Sequence, residues 1–164
     1  MVYIGVNAKN MQIDEIDRKI MATLQADSAQ PIGDVAEHVG LSLSACARRI
    51  KSLEERHYID GYCARLNGER LGYKMVFLVE VSLDSQTGKA LAAFEKEALE
   101  RPEVLECYLM TGDADYLLKV AAKDTADFEQ RYRRAIASLP HVTKIQSALI
   151  MKTVKPWRGF PTHD

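Results

Sequence analysis

Cysteine is scarce in this chain: Cys46, Cys63 and Cys107 are the only three in 164 residues. The count is odd, and no pair stands at CxxC or metal-ligand spacing. Neither a disulfide framework nor a structural zinc site is expected, and a reducing compartment fits. No apolar run approaches the roughly 18–20 residues that a membrane span needs. The first residues lack an apolar stretch followed by a small-residue cleavage site, so a secreted protein is not expected and a cytoplasmic one is. Charge of one sign is not in excess either: 22 Lys+Arg stand against 23 Asp+Glu, a net charge of -1. That balance excludes a histone-like protein acting through bulk positive charge, but not a local basic patch. There is no internal repeat and no long flexible linker. No Ser-His-Asp order, paired catalytic carboxylates or phosphate-cradling glycine loop stands out. His38, His57, His141 and His163 have no partners at ligand spacing. The chain does not read as an enzyme, and no metal or cofactor is expected.

What is present is ordinary globular material. Hydrophobic residues make up 47% and charged residues 27%, which argues against intrinsic disorder. The length allows one ordinary domain or two small ones. Residues 1–10 carry no helical period and read as a tail. Ile13, Ile16, Ile20 and Leu24 then recur at spacings of three and four, the mark of an amphipathic helix. Gln30-Pro31 opens a second short helix with Ile32, Val35, Ala36 and Val39 on one face, and Gly40 stands where a helix-ending glycine belongs. Ser42 is the N-cap of a third helix with Leu43, Cys46, Ala47, Ile50 and Leu53 as its apolar positions. Tyr58, Ile59, Tyr62 and Cys63 around Asp60-Gly61 predict a small β ribbon.

The second half follows a different rhythm. Strands are predicted over Lys74–Leu83, Val104–Met110, Tyr116–Ala121 and Val142–Met151. One helix runs from Lys89 to Arg101, with Leu91, Phe94, Ala98 and Leu99 inward. Another carries Phe128, Tyr132, Ile136 and Leu139 and stops at Pro140. The order βαββαβ is that of a ferredoxin-like split unit. The fold class is α+β, with a three-helix module over 11–66, a ferredoxin-like domain over 67–155 and an irregular tail over 156–164. Cys107, on a strand, is expected to be buried.

Val35 to Glu54 (VAEHVGLSLSACARRIKSLE) looks like a helix-turn-helix, whose third helix would lie in a DNA major groove. At about 100° per residue, Ser44, Ala45, Arg48, Ser52 and Glu55 fall opposite the apolar positions. Between Ser42 and Arg56 four cations face two anions, a local balance of +2. Arg48 has the planar fork that reads a guanine edge. Arg49 and Lys51 suit phosphates on either wall, and Ser42 and Ser44 suit a phosphate at the helix terminus. Charge alone would equally fit a solvated basic helix in a bundle. The glycine turn and the following ribbon favour DNA.

The stretch Ile13 to Asn67 resembles the amino-terminal half of the Lrp/AsnC, or leucine-responsive, transcription regulators. ECYLMTGDADYLLKV, Glu106 to Val120, resembles the signature of that family's effector domain. The longer run Glu100 to Val120 is most similar to the branch containing activators of branched-chain keto acid catabolism. The resemblance implies a winged helix-turn-helix followed by a RAM-type effector domain, and no enzyme. It implies dimers paired through their sheets, assembling further into tetramers or octamers. It also implies an amino acid bound where dimers meet. Leu43 and Ala45 stand where many members have proline, and His57 where many have glycine.

For the effector, the residues singled out are Tyr108, Met110, Thr111, Gly112, Asp113 and Asp115. Glycine permits a turn that leaves backbone N–H groups for a carboxylate. Asp113 and Asp115 could receive an ammonium, and Tyr108 and Met110 could form an apolar wall. Read from the residues alone, the same loop is a plain hairpin turn in which Asp113 caps its own backbone. The expected partners are double-stranded DNA, further copies of the chain and a small amino-acid-like ligand, with no membrane. Two rival functions are an architectural DNA-binding protein without ligand control and a small-molecule-binding ferredoxin-like protein.

Overall fold

A computed structural model describes residues 13–162, and the predicted tail over 1–10 and His163 lie outside them. The chain divides into two compact units. One comprises the residues up to Arg65 together with the segment from Lys155, and the other runs from Leu66 to Val154.

The first unit is built on α1 (Glu15–Ala26), α2 (Ile32–Val39) and α3 (Leu43–Glu55). Asp14 caps α1: its carboxylate accepts the Asp17 N–H at 2.8 Å, and Asp17 reaches back to the Asp14 N–H, satisfying two orphan donors. Gly40 ends α2 in the left-handed conformation. Ile20, Leu24, Val35, Ala36, Cys46, Ile50 and Leu53 form a closed core between the helices. Three predicted core residues lie outside it, among them Ala47, which is only half-buried. Ile32 and Leu43 are the first residues of their helices, ahead of the turns that pack, and both are exposed.

The predicted ribbon does not form. Residues 60–67 run on without strand pairing, because the segment supplies one extended run and no second row of N–H and C=O groups. It is tied instead by Tyr62, whose hydroxyl donates to Glu54 on α3 at 2.8 Å. The unit also takes in the end of the chain. Gln25 on α1 grips the Phe160 backbone in both directions, donating to its C=O at 2.7 Å and accepting its N–H at 3.0 Å. A Cβ on Gly159, whose φ is +104°, would fall inside the Gln25 side chain. The predicted irregular tail is therefore irregular but docked.

The second unit is a four-stranded antiparallel sheet in the order β2-β3-β1-β4, the ferredoxin-like arrangement. Its strands are β1 (Met75–Leu83), β2 (Val104–Leu109), β3 (Tyr116–Ala122) and β4 (Val142–Leu149). α4 (Gly88–Leu99) and α5 (Thr125–Arg131) follow β1 and β3, and α5 continues as a π-helical turn over Tyr132–Ile136. Alternation puts Phe77, Val79 and Val81 of β1 and Tyr116, Leu118 and Val120 of β3 in one core with Phe94, Ala98 and Ile136. Phe77 stacks on Phe128 at 3.6 Å, and Phe94 on Tyr116 at 4.3 Å. The helices of this unit pack on that one face, and the other face presents Val76, Leu78 and Leu117 beside a Glu106–Lys119 ion pair.

Three expectations are corrected. Leu99 is 85% exposed, because five residues beyond Phe94 it has turned about 140° off the packed stripe. The second helix of this unit is not uniformly α: the wider π turn accommodates one more residue and brings Ala135 and Ile136 inward. Cys107 is exposed on the edge strand β2.

Candidate functional site

Ser42 starts α3 by accepting the Ala45 N–H on its hydroxyl oxygen at 3.3 Å, and it lies 3.3 Å from the Ser44 hydroxyl. Ser42 and Ser44 are exposed at the start of the helix. Arg48 and Lys51 are exposed along its outer side. Lys51 pairs with Glu55 at 3.7 Å, a solvent-exposed contact that holds the ammonium weakly. α3 thus presents hydroxyls, a guanidinium and an ammonium on the side away from Cys46, Ile50 and Leu53.

Arg49 is placed differently. Its guanidinium bonds Asp14 at 2.7 Å and Asp17 at 2.8 Å, both at the start of α1. Asp17 is the one buried charged side chain among the described residues. The two carboxylates raise the Arg49 pKa above its ordinary value. The Asp14 carboxyl is held below the usual range, first by the Asp17 N–H and then by Arg49. Arg49 is therefore not free for the phosphate role assigned from sequence, and it fixes α3 against α1. The signal for this was present in Asp14 and Asp17, but spacing alone tied them only to their own helix terminus.

In the second unit the β2–β3 turn carries the predicted effector residues. The Met110 N–H donates to the Asp115 C=O at 2.8 Å and closes the turn. Thr111, Gly112 and Asp113 stand at its exposed tip, and Gly112 has a φ of +132° that a side chain rarely adopts. Tyr108 and Met110 are also exposed, and the Tyr108 hydroxyl donates to Glu106 at 2.9 Å. Asp115 points elsewhere: one oxygen accepts the Leu83 N–H at 2.7 Å, the other the Gln86 amide at 2.7 Å. Both its oxygens staple the turn to the segment after β1, so the structure does not offer it to an ammonium as Asp113 is offered. Among the described residues no group of His, Cys, Asp and Glu could hold a metal ion, and no helix is long and apolar enough to cross a membrane.

Comparison with known proteins places both halves. Residues 13–60 match a winged helix-turn-helix DNA-binding family, and residues 76–160 match the Lrp/AsnC ligand-binding domain. The chain belongs to the Lrp/AsnC family of transcriptional regulators. It is 45% identical over 143 residues to the Bkd operon transcriptional regulator of Pseudomonas aeruginosa, covering 87% of this chain and 94% of that protein. It is 41% identical over 142 residues to the proline dehydrogenase transcriptional activator of Rhodobacter capsulatus, covering 87% and 92%. Among solved structures, an AsnC family regulator from Agrobacterium tumefaciens matches with a TM-score of 0.85 at 36% identity, over 91% of this chain and 97% of that one. A regulator from Neisseria meningitidis, solved as its L-Met complex, matches with a TM-score of 0.84 at 30% identity, over 88% and 94%. The Lrp/AsnC assignment, the α+β fold class and the regulatory function read from the sequence all stand.

Proposed function

We propose that this chain represses or activates transcription by binding pseudo-palindromic duplex DNA as a homo-oligomer, and that an amino acid sets its assembly or DNA affinity. The observation that carries this reading is the division of labour on α3. One side is closed into the core, and the other offers Arg48 and Lys51 to solvent, with Ser44 and the capping Ser42 exposed at the helix start. Arg48 reads a base edge, Lys51 neutralises phosphate, and the two hydroxyls with the helix terminus hold a second phosphate. The protein works in the cytoplasm and without catalysis.

The uncovered sheet face is the dimer surface of this reading. Leu78 sits on the central strand between buried Phe77 and Val79, with its side chain on the face opposite α4 and exposed. Pairing two such faces buries Val76, Leu78 and Leu117 and puts two α3 helices in one particle, as a site with two half-sites about 34 Å apart requires. The effector, a small amino acid, meets the backbone N–H groups around Gly112 with its carboxylate and Asp113 with its ammonium. Tyr108, Met110 and Thr111 flank it, and a neighbouring dimer covers the exposed tip. Similarity to a leucine-responsive regulatory protein and to the regulator solved with L-Met supports an amino-acid-linked role.

The test is titration of the purified protein on its own upstream DNA and on a scrambled duplex at about 150 mM salt, where non-specific Kd values are typically about 10⁻⁴–10⁻⁶ M. Each titration is run with and without an amino-acid mixture. Preference for the upstream duplex, altered by the mixture, is the expected result. Gly112→Phe abolishes that response and leaves single-site binding intact. A response that survives in Gly112→Phe removes the loop as the effector site.

A further inference from the structure

The α3 surface carries one residue that the charge-based reading leaves out. Leu43 is the first residue of the helix and 59% exposed. It shares an angular sector with Ile50, yet the core begins one turn later, at Cys46, so its side chain projects past the end of the packed layer. Ser44 and Arg48 are exposed on the same helix, about 100° and 140° round its axis from Leu43. The Ser42 hydroxyl is committed as acceptor to the Ala45 N–H. An isobutyl group therefore stands exposed at the N-terminal tip of the helix.

A single exposed leucine is usually unremarkable, because much of any protein surface is apolar. Its position makes this one informative. In a helix-turn-helix the N-terminal residues of the second helix reach base edges in the major groove. Leucine has neither donor nor acceptor, so against most base edges it would displace water from polar atoms and return no hydrogen bond. One groove feature is apolar: the C5 methyl of thymine. The geometry points to Leu43 as a specificity-determining residue that packs on one thymine methyl in each half-site. This rests on the DNA-reading role of α3 proposed above.

The experiment separates methyl contact from every other effect. The full chain selects binding sites from a pool of randomised duplexes. Each thymine of the selected duplex is then replaced in turn by deoxyuridine, which keeps every hydrogen-bonding group and removes only the methyl. At one thymine per half-site, deoxyuridine weakens binding about fourfold, the factor that burial of one methyl supplies, and about fifteenfold when both half-sites are changed. Leu43→Ala loses affinity for the thymine duplex by a similar factor and becomes indifferent to deoxyuridine at that position alone. Leu43→Met, which keeps an apolar reach, retains the discrimination. A variant that loses discrimination because it misfolds would also lose its thermal transition, which circular dichroism reads directly. The proposal is overturned if no selected half-site holds a thymine, or if Leu43→Ala discriminates as the parent does. A chain that selects no duplex at all overturns the DNA-reading role of α3 as well.

Discussion

Replacing Arg49 by methionine separates a structural cation from a DNA-binding one. The guanidinium bridges two carboxylates at the start of α1, with Arg49 32% exposed, Asp17 10% and Asp14 51%. Solvent-exposed pairs are worth about 0.2–1 kcal/mol. Removing one partner of a fully buried pair costs about 3–5 kcal/mol. This clamp lies between, because Asp17 is nearly buried while Asp14 remains hydrated, and Arg49→Met should cost about 2 kcal/mol. In a unit of this size that lowers Tm by roughly 8–15 °C. The assay pairs thermal unfolding with the salt dependence of DNA affinity. A lysine on phosphate contributes about 0.9 to the slope of log K against log salt. Arg49→Met should melt early and keep the slope. Lys51→Met should melt within about 0.5 kcal/mol of the parent and lose roughly 0.9 of the slope for each half-site occupied. The clamp also has a pH signature. The Asp14 carboxyl is more acidic folded than unfolded, so its contribution is full above the ordinary value of 3.8 and is lost as pH falls through its lower folded value. Arg49→Met should lose less stability than the parent over that acid range. A variant that melts with the parent and flattens the salt slope would refute the clamp and return Arg49 to the phosphates.

Two further outcomes follow from the backbone. His57 holds a φ of +57° just past the end of α3, where a side chain costs about 1 kcal/mol. His57→Gly should therefore raise stability by about 0.5–1 kcal/mol in urea unfolding. Gly159→Ala should undock the tail from Gln25 and speed tryptic cleavage after Arg158 about tenfold, as loss of roughly 1.4 kcal/mol of local stability requires. Unchanged cleavage in both Gly159→Ala and Gln25→Ala would mean that the tail is not held there in solution.

The helical periods were legible because one face of each helix is closed into a core. Ile20, Leu24, Val35, Cys46 and Ile50 all recur at three- and four-residue spacing and are all buried. Periodicity fails where a helix begins or has rotated past its neighbour, as at Leu43 and Leu99. The ribbon after α3 failed for another reason. Tyr58 to Cys63 has the composition of a strand, but pairing needs a partner that composition does not supply. At the candidate sites the residue types were readable and their duties were not. Arg49 and Asp115 have the charges that a ligand site wants, yet both are engaged by groups distant in sequence, Asp14 and Asp17 in one case and Leu83 and Gln86 in the other. A one-dimensional reading sees a charge, whereas its availability depends on what the fold has already brought within 3 Å of it.

The same long-range bonds bear on how an effector signal could reach DNA. The second unit is an insertion: the chain leaves the helical unit at Arg65 and returns to it at Lys155. The returning segment docks on α1, through Gln25 to Phe160 and through Arg18 to the Thr162 carbonyl at 3.4 Å. At its other end α1 holds Arg49 of the recognition helix through Asp14 and Asp17. Coupling between sites requires an element whose state both sites bias. A single peptide connection between the units would leave little beyond tethering to do this. The two covalent connections, the second ending on the helix that grips α3, make the role of α1 in such coupling open to direct test. Cutting the tail contact should then reduce the effector response without removing DNA affinity, whereas cutting the Arg49 clamp should reduce both.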